Sequence, residues 1–182
     1  MNSSRRRWGW LTALPLLVAA AATASAAAGD APQTVRATLA TAKDRKAAPN
    51  FSLRDASGKT VNLSQFRGRI VLLDFWATWC HGCKEEIPWF AEFEREYRSQ
   101  GLAVVGVSLD DDGWAVVKPF LEGAKVPYRV LLGDPPTAKK YSIDAMPDTF
   151  IIDRKGRVAA KYMGLVDRGD VEANIKAVLR ER

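Results

Sequence analysis

Between Ile70 and Tyr97 an apolar strand pattern, a pair of cysteines two residues apart and an amphipathic helical pattern follow one another directly. No other stretch constrains the fold as tightly. Ile70-Val71-Leu72-Leu73-Asp74-Phe75 is apolar except for one acid, as expected of a strand covered on both faces. From His81 the apolar residues Ile87, Phe90, Phe93 and Tyr97 recur at three- and four-residue steps, which predicts a helix from His81 to Tyr97, with a kink at Pro88. Cys80 and Cys83 are the chain's 2 cysteines. Two thiols at that spacing can close and open a disulfide without moving the rest of a fold, so Trp79-Cys80-His81-Gly82-Cys83 reads as a dithiol/disulfide redox site.

The cysteines' compartment matters to that reading. Arg5, Arg6 and Arg7 precede a mostly apolar, alanine-rich run from Trp8 to Ala22, and small residues follow at Ala24-Ser25-Ala26 and Ala26-Ala27-Ala28. This is the order of a secretory signal, so residues 1–28 are expected to be a signal peptide, with retention as an uncleaved anchor the alternative. The mature chain is then periplasmic or otherwise exported, where disulfides persist. A purely structural bridge is the plain alternative there. Closing so short a loop removes little unfolded-state entropy, which favours the redox reading. The formal charge of +6 includes the three leader arginines, so the mature chain carries +6 − 3 = +3. Its charges are interspersed, with no clustered basic face for nucleic acid.

Residues 29–47 lack clear apolar periodicity and read as a linker or a loosely packed extension, and residues 48–182 as one domain. Phe51-Leu53 and Val61-Leu63 suggest a hairpin, Leu102–Leu109 a second buried strand and Trp114–Leu121 a helix. Tyr128–Leu132 reads as a further strand, then a hairpin turns at Arg154-Lys155-Gly156, where glycine can supply positive φ. Asp170–Leu179 is a closing amphipathic helix with Val171, Ile175 and Val178 on one face. The class is α/β, a mixed central sheet flanked by helices.

A redox pair needs a thiolate, and Cys80 stands just before a helix start, where free N–H groups and the helix dipole favour an anion. Cys83 lies one turn further in. Cys80 is therefore expected to attack a partner disulfide and Cys83 to resolve the mixed disulfide. Asp74, six residues before Cys80 among apolar neighbours, should be raised in pKa by burial and able to exchange protons with a thiol, unless it reaches water at the sheet edge. Glu86, three residues after Cys83, lies near the same helix face, as a second acid or as a solvated one. His81 either tunes the Cys80 thiolate or is simply exposed. Met146-Pro147, before a strand, is a cis turn offering backbone to an extended substrate, or an ordinary trans proline. Two cysteines and one histidine do not complete a zinc site, and no cofactor is called for beyond the Cys80–Cys83 disulfide.

These residues together resemble a known group. Val71–Cys83 is similar to the active-site segment of thioredoxins. The span from Ala48 to Leu179 more closely resembles the exported thioredoxin-like TlpA/ResA/CcmG proteins. The resemblance rests on Ala48-Pro49-Asn50-Phe51-Ser52-Leu53, Phe75-Trp76-Ala77-Thr78-Trp79-Cys80, Cys83-Lys84-Glu85-Glu86-Ile87-Pro88, Val105–Asp110, and Met146-Pro147-Asp148-Thr149-Phe150. It implies a thioredoxin fold with an N-terminal hairpin and a central insertion over Asp111–Leu132. It also implies Cys80 as attacking thiol, Pro147 as a cis proline and Glu86 as an active-site acid. The implied activity is reduction of disulfides in exported partners, of the cytochrome c maturation or copper-site assembly type, with a membrane thiol carrier as electron donor. Two departures stand out. Asp74 occupies a position commonly asparagine in that group, so the chain holds both acids. His81-Gly82 stands where proline often precedes the second cysteine. Those two residues and Trp79 are expected to tune the pair, at about 30 mV for each 1.4 kcal/mol of thiolate stabilisation. Two other functions compete: a Cu(I)-handling thiol module, for which Met146 and Met163 supply no motif spacing, and a peroxiredoxin-like peroxidase, for which Leu73 and Ala77 stand where proline and threonine belong.

Overall fold

The computed structural model describes residues 33–181; the expected leader, residues 1–28, lies outside them. An N-terminal hairpin, β1 (Ser52–Asp55) and β2 (Thr60–Asn62), precedes β3 (Ile70–Trp76), α1 (His81–Tyr97) and β4 (Leu102–Ser108). Then come α2 (Trp114–Ala124), β5 (Arg129–Leu132), α3 (Pro135–Tyr141), the hairpin β6 (Asp148–Ile152) and β7 (Val158–Met163), and α4 (Arg168–Arg180). They build a mixed seven-stranded sheet in the order β2-β1-β5-β4-β3-β6-β7. The β3–β4 and β4–β5 pairs are parallel and the others antiparallel. The segment expected as an insertion supplies α2 and β5, and β5 joins the N-terminal hairpin to the sheet. Helix α1 runs continuously through Pro88 to Tyr97. Gly156 has φ +73° in the β6–β7 turn, the conformation glycine was expected to supply there.

Two apolar layers cover the sheet. Ile70, Leu72 and Trp76 face one layer with Phe90, Phe93, Val171 and Ile175, whereas Val71, Leu73 and Phe75 face the other with Phe51, Leu53, Tyr141 and Phe150. Strand side chains alternate between faces, so Asp74 falls on the Leu72–Trp76 side, beneath α1. It is flanked by Gly106 on β4 and Thr149 on β6. A methyl group on Gly106 would stand 2.9 Å from Trp76 Nε1, so the indole lies in space that only glycine leaves.

The segment expected as a linker is packed over its described part. Ala40 N–H donates to Ala159 O at 2.8 Å and Val158 N–H to Lys46 O at 2.8 Å. The buried Arg45 guanidinium makes two 2.6 Å bonds to Glu181 and reaches Asp153 at 3.3 Å. Val35, Ala37 and Leu39 pack on the core, an apolar alternation too short to signal a strand, and backbone bonds and one buried ionic cluster hold the rest of the strap. No helix among the described residues is long and apolar enough to cross a membrane.

Candidate active site

The cysteine loop is held from below. Asp110, just past β4, accepts hydrogen bonds from Thr78 N–H (3.0 and 3.1 Å), Thr78 Oγ1 (2.6 Å) and Ser108 Oγ (2.8 Å). This buried carboxylate fixes the turn that delivers Cys80 to the first turn of α1. Cys80 caps that helix: Cys83 N–H donates to Cys80 Sγ at 3.2 Å. Cys80 and Cys83 form a closed disulfide. Cys80 is 6% exposed and Cys83 0%, so incoming sulfur has more access to Cys80.

Behind the pair the structure brings Asp74 and Glu86 into one buried cluster. Burial, with the nearby charge of Asp148 adding to it, raises Asp74 to about 7 against a weak 3.4 Å hydrogen bond from Thr149 Oγ1. Burial first and the Asp74 charge second raise Glu86 to about 9. A 2.7 Å bond from Val166 N–H to Glu86 Oε1 opposes that rise. Asp74 Oδ2, Glu86 Oε2 and Trp76 Nε1 are buried without partners. Tyr128 is raised by its own burial and by both carboxylates. A carboxyl raised to about 7 is partly ionised near neutrality, and in that ionised form it can accept the proton of an enclosed thiol as the thiol becomes a nucleophile.

The other expected site residues divide. His81 is 92% exposed in its side chain and lies 3.4 Å from Glu85, i+4 on the outer face of α1. Gly82 faces the opposite loop: a methyl group there would lie 3.5 Å from Pro147 Cδ and 3.7 Å from Leu165 Cβ. The Met146–Pro147 peptide is cis, and Pro147 O accepts from Gly164 N–H at 2.8 Å. Met146 is half-buried against the core. Trp79 is 67% and Met163 68% exposed, the large apolar side chains left open to solvent among the described residues. Among those residues no group of three or more His, Cys, Asp or Glu could hold a metal ion. A cavity of about 650 Å³ is lined by Asp55, Arg69, Arg98 and Arg129 and includes neither cysteine.

Sequence reasoning missed the roles of Asp110 and Tyr128 and the 164–167 connection. An acid directly after a buried strand could have pointed to Asp110. The connection acts through backbone groups, which carry no side-chain signal.

The AhpC/TSA family model matches residues 45–161. The thiol-disulfide oxidoreductase ResA of Bacillus subtilis (strain 168) is 36% identical over 118 residues, 64% of this chain; the match spans 65% of ResA's length, just under two thirds. ResA of Bacillus cereus (strain ATCC 10987 / NRS 248) is 32% identical over 135 residues, covering 73% of this chain and 77% of its own. A solved Chlorobium tepidum structure described as the thiol:disulfide interchange protein DsbE superposes with TM-score 0.70 at 34% identity, over 78% of this chain and 99% of that one. The expected thioredoxin fold is shown by such neighbours. On these matches the chain belongs to the AhpC/TSA family, in the group of thiol-disulfide oxidoreductases that includes ResA.

Proposed function

We propose that this protein is an exported thiol-disulfide oxidoreductase that works as a reductant of disulfides in partner proteins, of the cytochrome c maturation or copper-site assembly type. The Cys80–Cys83 disulfide, set on the α1 N-terminus with two buried carboxyls behind it, carries this reading. In the reduced state the Cys80 thiolate attacks a partner disulfide, forming one S–S bond and releasing one partner thiolate. Cys83 gives its proton to the buried carboxyl pair and attacks Cys80 Sγ. The second partner thiolate leaves, the Cys80–Cys83 disulfide forms, and two electrons have passed to the partner. A membrane thiol carrier restores the dithiol. Export rests on the Arg5–Arg7 and apolar leader pattern.

The direction follows from charge. A stabilised thiolate favours the reduced form and makes a pair oxidising. Here acids face the pair from behind, and the His81 side chain sits beside Glu85. The helix N-terminus favours the Cys80 anion, and the ionised fraction of the acids opposes a second one. Equilibration with glutathione at pH 7 should therefore give a potential below about −200 mV, toward the thioredoxin range, and a value near about −120 mV would reverse the direction.

Asp74→Asn tests the proton route. It should slow resolution of a preformed mixed disulfide by about tenfold or more while leaving capture by Cys80 within about twofold. Stopped-flow rates of both steps from about pH 6 to 9 check this; an unchanged resolution profile removes Asp74 from the mechanism.

A further inference from the structure

Glu86 has one hydrogen-bond partner in its buried site, the Val166 N–H. Val166 lies in the short connection from β7 to α4, and that connection is stapled from its other side by the N-terminal strap. Val35 N–H donates to Leu165 O at 2.7 Å, and Asp167 N–H donates to Val35 O at 2.8 Å. Val35 thus spends both backbone groups on the two neighbours of Val166, in a parallel bridge. In such a bridge the middle residue's own N–H points away from the strap, here to Glu86. Val166 is therefore held between the strap on one side and the acid on the other.

The staple extends beyond one residue. Arg36 binds the Asp167 carboxylate at 3.0 and 3.2 Å, Ala37 N–H reaches Asp170 Oδ2 at 3.1 Å, and Asn174 Nδ2 donates to Ala37 O at 3.0 Å. The same connection places Leu165 over Gly82, between the cysteines. The strap up to Asp44 and the connection both fall outside the family match, which covers residues 45–161. We infer that the N-terminal strap is a positioning element of the active site, with Val35 setting the 164–167 connection so that Val166 N–H holds Glu86. The kinetic consequence rests on Glu86 being a proton acceptor for Cys83; the positioning itself does not.

Val35→Pro removes the donor to Leu165 O and so loosens the grip on Val166. The Val166 bond favours the charged carboxylate, so weakening it moves the Glu86 titration upward, expected at about 0.5 to 1 in pH. The other groups acting on Glu86, namely Asp74 from β3, Asp148 from β6, Glu85 on α1 and the Tyr128 phenol ahead of β5, are unaltered, so the movement is assignable. Carbon-13 NMR of the Glu86 carboxyl in the full-length disulfide form reads it directly. Val35→Gly, which keeps the donor but loses the packing of the Val35 side chain on the core, should move it in the same direction by less. It serves if the proline variant does not fold. Resolution kinetics form the second arm: Val35→Pro shifts the midpoint of the resolution profile upward, and adds nothing in a Glu86→Gln background. An unmoved Glu86 titration in the variant that folds overturns the positioning role. Where Glu86→Gln alone slows resolution, equal slowing by Val35→Pro with and without it overturns the role too, since the strap would then be a general support. A titration that moves while Glu86→Gln alone leaves resolution unchanged upholds the positioning and refutes the role of Glu86 in proton transfer.

Discussion

Cys83→Ser should turn the protein from a turnover catalyst into a trap. Cys80 keeps its place on the α1 N-terminus and its access to solvent, so it still attacks partner disulfides. The mixed disulfide then has no internal thiol to displace it. Turnover of a model protein disulfide should fall by roughly a thousandfold or more, as expected when one member of a concerted pair is lost. Covalent adducts on Cys80 should accumulate, visible on non-reducing gels and by mass spectrometry. Cys80→Ser should lose turnover equally and trap nothing, because Cys83 is fully enclosed. Adducts on Cys83 of the Cys80→Ser variant, with none on the Cys83→Ser variant, would invert the roles.

Glu86→Gln should make the disulfide form more stable at alkaline pH and slower in resolution. The sign follows from linkage. Asp74 and Glu86 are raised to about 7 and about 9 from ordinary values of 3.8 and 4.5. Between the unfolded and folded values the folded state binds more protons than the unfolded one, so stability falls as pH rises across that window. Below about pH 4 both states are protonated and the cost vanishes. Glutamine keeps the shape of Glu86 without the ionisation, so the variant should gain of order 3 kcal/mol at pH 8 and little at pH 4. Urea unfolding of the oxidised protein at the two pH values measures the difference. A gain of the same size at both would mean that ionisation of Glu86 is not its source. The gain in stability should coincide with a loss of resolution rate, since the carboxyl that costs folding energy is the one proposed to take the proton.

Much of the scaffold was legible because its signals are local. The run Ile70–Phe75 could only be a strand covered on both faces, and β3 is fully buried from Ile70 to Trp76. Periodicity and the cysteine at its head placed α1 at His81–Tyr97, the bounds observed. Side-chain parity along β3 already implied which face Asp74 shares with Leu72 and Trp76. The strap was not legible: the alternation of Val35, Ala37 and Leu39 that packs on the core is too short to signal a strand, and the bonds that hold the strap reach segments more than a hundred residues away. His81 illustrates the converse. Its position between the cysteines suggested a thiolate partner, yet the start of a helix turns it outward, to Glu85 one turn on.

Taken alone, the sequence determined which atoms can exchange a disulfide, which of the two sulfurs stands at a helix start, and that two acids flank them along the chain. These follow from spacing and periodicity, which depend only on near neighbours. Only the tertiary structure decided that both acids share one buried cluster, that Asp110 grips the loop before Cys80, and that Val166, itself held by Val35, supplies the hydrogen bond to Glu86. The physical reason is that the last of these partners are backbone N–H groups. Every residue but proline carries one, so no residue type announces where it will point until the chain has folded.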